Sequence, residues 1–158
     1  MITDRPSLKA RLAELRGTGK KVVFTNGCFD LLHPGHLRLL TAAKGLGDVL
    51  LVGLNSDAST RALKGKHRPI LPEVARAELL LGLRPVDFVT LFDEPTPLQL
   101  LLALAPHVDV LVKGADYGAG EIVGEAEVTG WGGRVERIEL AEGFSTTELE
   151  RRIIEAHS

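Results

Sequence analysis

Two histidines, His33 and His36, flank Pro34 and Gly35, and that arrangement at the start of a helix is suited to holding phosphate. An imidazole donates N–H hydrogen bonds, and two histidines three apart on a helix share a face, so both can reach one phosphate group. Pro34 suits the first helical position, where its missing N–H costs nothing. The amino end of a helix carries unpaired backbone N–H groups and the positive pole of the dipole, so an anion is favoured there before any side chain helps. Gly27 and Gly35 lack a Cβ and let a phosphate approach the backbone. The stretch Thr25-Asn26-Gly27-Cys28-Phe29-Asp30, which leads into this helix, completes a candidate triphosphate seat.

Two other readings compete. A His-x-x-His pair is a common metal pair, with Cys28 and Asp30 nearby as further ligands, but spacing alone sets no tetrahedral site and no residue is assigned to a metal. Alternatively His33 is a helix cap and His36 a satisfied, partly buried histidine. Two histidines flanking Pro-Gly argue against that.

Alternating elements must position these residues. A helix is expected over 7–15 and strands over 21–25, 49–55, 86–92, 108–112 and 134–138. Helices are expected after Pro34, Pro72, Pro97, Glu121 and Ser145. The helix after Pro34 has Leu37, Leu40 and Ala43 with Leu39 and Ala42 at helical spacing, and Gly45 and Gly47 end it. Strand-helix alternation predicts an α/β fold, a single Rossmann-like domain with a parallel sheet of about five strands flanked by helices, residues 1–19 forming an N-terminal helical extension. Ligands of such sheets bind beyond the carboxyl ends of the strands, where Asn26, Asn55 and Lys113 all fall.

Other segments converge on the same edge. Asn55-Ser56-Asp57 closes the second strand, and the run Lys64-Gly65-Lys66-His67-Arg68 reads as a basic loop, either solvated or in phosphate contact. Arg76 lies on the next helix, where arginine is usually solvated. Lys113-Gly114-Ala115-Asp116-Tyr117 follows another strand. Ser145-Thr146-Thr147-Glu148 is a capping box whose hydroxyls and free N–H groups can also meet a nucleotide.

The Thr25–His36 stretch resembles the signature of the cytidylyltransferase-like nucleotidyltransferases, whose His-x-Gly-His element is matched by His33-Pro34-Gly35-His36. Within that superfamily the chain is most similar, from about Lys20 to about Ile153, to the D-glycero-β-D-manno-heptose 1-phosphate adenylyltransferases. Cytidylyl-transferring relatives usually carry an arginine where this chain has Leu140, and Asp-Asp-Trp where it has Ala115-Asp116-Tyr117. Both departures point toward ATP.

The resemblance implies transfer of AMP from ATP to a sugar 1-phosphate, with Mg²⁺ bridging the phosphates and no covalent intermediate. His33 and His36 would donate to the α- and β-phosphates. Lys44, Lys64 and Arg68 would meet departing pyrophosphate, and Lys113 the acceptor phosphate. Asp116 would contact a sugar hydroxyl or the metal. Asn55, Asp57, Arg76, Gly114, Tyr117, Ser145, Thr146 and Thr147 would line the nucleotide or acceptor loops. Many relatives fuse this domain to a sugar kinase, so a separate kinase is expected here. The family often forms dimers, which makes a homodimer consistent with the resemblance.

Composition bounds the rest. At 158 residues and 44% hydrophobic content the chain can bury a core. A net charge of −2 gives no footprint for nucleic acid or anionic membrane. Cys28, the one cysteine, cannot form an intrachain disulfide. No signal peptide is visible at Met1–Asp4 and the leucine-rich run near 98–105 is too short to span a bilayer, so a cytoplasmic location is expected. A dehydrogenase reading of Gly118-Ala119-Gly120 with Gly124 fails because the third glycine comes one residue late. A non-catalytic nucleotide sensor would show the same seat and is separated by assay.

Overall fold

The computed structural model describes residues 2–114, 121–140 and 142–158. In chain order the elements are α1 (Arg5–Gly17), β1 (Val22–Gly27), α2 (Pro34–Lys44), β2 (Val49–Asn55), α3 (Asp57–Lys64), α4 (Glu73–Leu81), β3 (Phe88–Phe92), α5 (Leu98–Leu104), β4 (Val110–Gly114), α6 (Glu125–Gly130), β5 (Arg134–Ile138) and α7 (Thr146–Ala156). The five strands pair in parallel in the order β3-β2-β1-β4-β5. Their near-continuous apolar runs follow from burial on both faces: every residue of β2 is buried.

Two clusters sandwich the sheet. On one face α1, α5 and α6 pack Leu8, Leu12, Leu100, Leu101, Leu104 and Val128 against Phe24 and Leu111. On the other, α2 and α4 pack Leu40, Ala43, Ala77 and Leu80 against Val23 and Val52. The chain therefore reverses its direction of winding at β1, and the switch point of the sheet falls between β1 and β4.

That joint opens toward the carboxyl ends. The β1–β4 pairing covers Val23–Val110 and Phe24–Leu111, although β1 runs on to Gly27 and β4 to Gly114. Beyond the last pair, the Thr25 hydroxyl donates to the Val112 carbonyl at 3.1 Å, and the Lys113 ammonium donates to the Asn26 side-chain oxygen. Side chains take over from the backbone ladder, and the crevice begins there.

Several expectations change. A helix not expected from the sequence, α3, stands between the end of β2 and the basic loop; Ser56 starts it by accepting from Ser59 N–H at 3.2 Å. At eight residues the helix is too short for its periodicity to stand out. On α2, Gly35, Leu40 and Ala43 are buried, whereas Leu37 and Ala42 are exposed; the inward stripe is narrower than the apolar residues suggest. β3 and β4 each start two residues later than expected.

The N-terminal helix is no appendage. Leu8 and Leu12 are fully buried, and Arg5 donates bidentately to the Glu94 carboxylate at 2.8 and 2.7 Å. Leu12→Ala should lower the unfolding free energy by about 2–5 kcal/mol, the usual cost of a buried leucine, measured by denaturant titration. A loss within about 0.5 kcal/mol would mean that α1 is peripheral.

Candidate active site

A cavity of about 510 Å³ lies at the carboxyl edge of the sheet, of a size suited to a small-molecule ligand. Its floor is Asn26, Gly27, Cys28, Phe29 and Asp30 after β1, with His36 from α2, Asn55 from the end of β2 and Lys113 from β4. Lys64 and Arg68 form one rim; Thr146 and Thr147, at the start of α7, form another.

His36 is built as a neutral donor. Its Nδ1 accepts from the His33 backbone N–H at 3.3 Å, which leaves Nε2 to carry the proton toward the cavity. Burial pushes its pKa down to about 4, with the neighbouring His33 adding to the effect. His33 departs from expectation. It is the N-cap residue, with extended backbone (φ −142°, ψ 169°), and its ring stacks on His36 at 3.8 Å between centroids. It does not line the cavity, and its buried Nδ1 has no partner among the described residues. A Cβ at Gly35 would stand 2.8 Å from the His33 ring, so the stack requires glycine there. Phe29, at φ 46° in the left-handed region, turns the chain beneath this pair, its ring 5.2 Å from that of His36.

Lys113 supplies the charge. Burial lowers its pKa to about 8, and among the described residues no carboxylate pairs with it. A buried ammonium bound to a neutral amide is offset electrostatically when an anion arrives.

Other expected ligands are structural. Arg76 is fully buried: its guanidinium donates to the carbonyls of Leu71 (2.9 Å), Cys28 (2.6 Å) and Asn55 (2.8 Å) and pairs with Asp57 at 2.8 Å. It ties the loop after β1, the end of β2 and the start of α3 into one frame, so neither Arg76 nor its partner Asp57 is presented to a ligand. Asp30 accepts from Ile70 N–H and Leu71 N–H and from Arg68 Nε at 2.6 Å. Burial alone would raise its carboxyl; these donors outweigh that and hold it below the usual range.

Lys44 lies at the wrong edge. It closes α2, donates to the Asp48 carbonyl at 2.6 Å and pairs with Asp87, at the amino ends of the strands. Thr25 is buried beneath the floor and Gly114 under the Leu140 side chain. Ser145 caps α7 by accepting from Glu148 N–H at 3.0 Å, which leaves Thr146 and Thr147 as the hydroxyls at the cavity. Asp116 and Tyr117, with Ala115 and Gly118–Gly120, lie outside the described residues. Cavity residues that the sequence did not single out are Phe92, Pro95, Thr96, Pro97, Glu121, Ile122 and Val123. The signal that could have found them is their place after β3 and β4, at the same sheet edge.

Among the described residues no three His, Cys, Asp or Glu side chains group as metal ligands, and no helix is long and apolar enough to cross a membrane.

A switch-point crevice lined by a neutral imidazole donor from the first turn of a helix and by a buried ammonium is suited to an anion, as the phosphate sites of the α/β class are. Residues 24–152 match the cytidylyltransferase-like family, and the chain belongs to it. The chain is 53% identical over its full length to the bifunctional protein HldE of Rhodopseudomonas palustris strain HaA2. It is 47% identical over 99% of its length to HldE of Pelobacter propionicus. It spans 32% of the length of each. The crystal structure of a lipopolysaccharide core biosynthesis protein from Thermoplasma volcanium superposes with a TM-score of 0.63 at 30% identity, covering 78% of this chain and 98% of that one.

The folded pKa of His36 lies below its unfolded value near 6.5. As pH falls, the unfolded chain takes up the proton first; the stability linked to this site is whole above about pH 6.5 and is lost between there and about 4. Histidine ¹⁵N NMR of the free protein should show His36 as the Nε2–H tautomer, neutral down to about pH 5. A midpoint at 6 or above would contradict this environment.

Proposed function

We propose that the protein transfers AMP from ATP to a sugar 1-phosphate, D-glycero-β-D-manno-heptose 1-phosphate in particular, releasing pyrophosphate. The observation that carries this reading is the convergence of His36, in the first turn of α2, and Lys113 on one cavity at the β1–β4 opening. The acceptor class follows from the resemblance to heptose 1-phosphate adenylyltransferases and from the HldE relatives.

The acceptor phosphate is already an anionic nucleophile, so the site needs alignment and charge stabilisation rather than a general base. One oxygen of the sugar phosphate attacks the α-phosphorus of ATP. The bond from that phosphorus to the oxygen bridging to the β-phosphorus breaks, and its electron pair leaves on pyrophosphate. His36 Nε2–H and the first N–H groups of α2 donate to the α- and β-phosphate oxygens as charge gathers there. The His33 ring holds the His36 ring in place by stacking. Lys113 supports the acceptor phosphate, while Lys64 meets the departing pyrophosphate. Mg²⁺ bound to the nucleotide substrate would supply further charge neutralisation and would need few protein groups. Leu140, resting on Gly114 where cytidylyl-transferring relatives usually carry arginine, favours ATP over CTP. The sugar phosphate would come from a kinase, and the location that fits these substrates is the cytoplasm.

Pyrophosphate release is measured with ATP or CTP, Mg²⁺ and a panel of sugar 1-phosphates. Heptose 1-phosphate with ATP should be preferred over CTP by at least about tenfold in kcat/KM, or ~1.4 kcal/mol. His36→Ala should lower turnover by on the order of 10²–10³-fold. Equal or better use of CTP would replace this reading with a cytidylyltransferase acting on glycerol 3-phosphate or a related alcohol phosphate. Nucleotide binding without turnover on any acceptor would leave a sensor.

A further inference from the structure

The helix that carries Thr146 and Thr147 to the cavity has little of its own to hold it there. No residue of α7 is buried, and Ile153 and Ile154 are exposed. Among the described residues, the Arg68–Glu150 pair is its one hydrogen-bonded link to the rest of the domain, at 2.8 Å. Arg68 is itself anchored, its Nε on the fully buried Asp30 carboxylate at 2.6 Å. Asp30 in turn holds the backbone of Ile70 and Leu71. A second contact stands just before the helix: the Phe144 ring lies 6.5 Å from that of His33 at an interplanar angle of 17°. Together the two contacts bracket Thr146 and Thr147.

We propose that Glu150, acting through Arg68 and Asp30, is a positioning residue that docks α7 over the crevice and so sets the affinity for nucleotide. Arg68 thereby acts mainly through α7. Its Nε and one terminal nitrogen are committed to carboxylates of the protein. Asp30 couples the latch to the phosphate seat because it belongs to the loop between β1 and α2. A helix with no buried face has few interactions to keep it docked once this ion pair is removed. Apparent nucleotide affinity then falls in proportion to the docked fraction.

This inference rests on the nucleotidyl-transfer reading, and its test has one arm independent of it. Glu150→Gln keeps shape and removes charge; Glu150→Asp keeps charge on a shorter stem. Hydrogen exchange over 146–156 and binding of a non-hydrolysable ATP analogue with Mg²⁺ are measured for each, and KM for ATP and kcat in the pyrophosphate assay. Glu150→Gln should speed exchange in α7 and weaken analogue binding about tenfold. KM for ATP should rise more than kcat falls, and Glu150→Asp should restore part of both effects. Unchanged exchange in α7 would overturn the latch whatever the nucleotide result. Faster exchange with unchanged analogue affinity would overturn the positioning role and leave a purely structural pair. Failure of the wild-type protein to bind any nucleotide would overturn the proposed function and the positioning role together, whereas exchange would still report whether the ion pair docks the helix.

Discussion

The early end of the β1–β4 ladder is the constraint on which the site depends. Four parallel pairings hold the sheet, but the one at the switch point stops at Phe24 and Leu111 while both strands continue. Chains that wind in opposite senses from a central strand must separate there, and polar groups exposed by the separation need new partners. Thr25 meets the Val112 carbonyl and Asn26 meets Lys113. A lysine that would be costly in a closed sheet is thus held at a buried opening without a carboxylate, where an arriving phosphate supplies the missing charge.

Around that opening, rigidity comes from charged side chains bound to other groups of the protein. Arg76 joins three backbone segments from a fully buried position, and Asp30 gathers Arg68 and two N–H groups. Removing one partner of such a network leaves the others buried and unpaired, so each member is costly to lose even though the net gain of the intact set is modest. The loop after β1 is thereby held in a form that carries a left-handed phenylalanine and a histidine stack.

Much of this was legible in the sequence. The alternation of apolar runs with helix starts at Pro34, Pro72 and Pro97 gave the parallel sheet, and strand ends located Asn26, Asn55 and Lys113 at one edge. Residue type indicates what chemistry a side chain can do, but not which partner reaches it first. Arg76 looks like a ligand until its protein partners are seen, and Lys44 looks basic and near the seat because it shares a helix with His36. That helix is 11 residues long, which at about 1.5 Å per residue carries its last turn to the far edge of the sheet. His33 stands off the cavity for a related reason. The i, i+3 rule assumes helical backbone at both positions, and an N-cap residue is extended.

The central claim is that the phosphates sit at the β1–β4 opening, against His36 and the start of α2. A crystal structure with a non-hydrolysable ATP analogue and Mg²⁺ tests it most directly. The account predicts an α- or β-phosphate oxygen within about 3.2 Å of His36 Nε2 and of backbone N–H groups at the start of α2. Phosphates bound elsewhere, with His36 Nε2 facing no ligand atom, would contradict it.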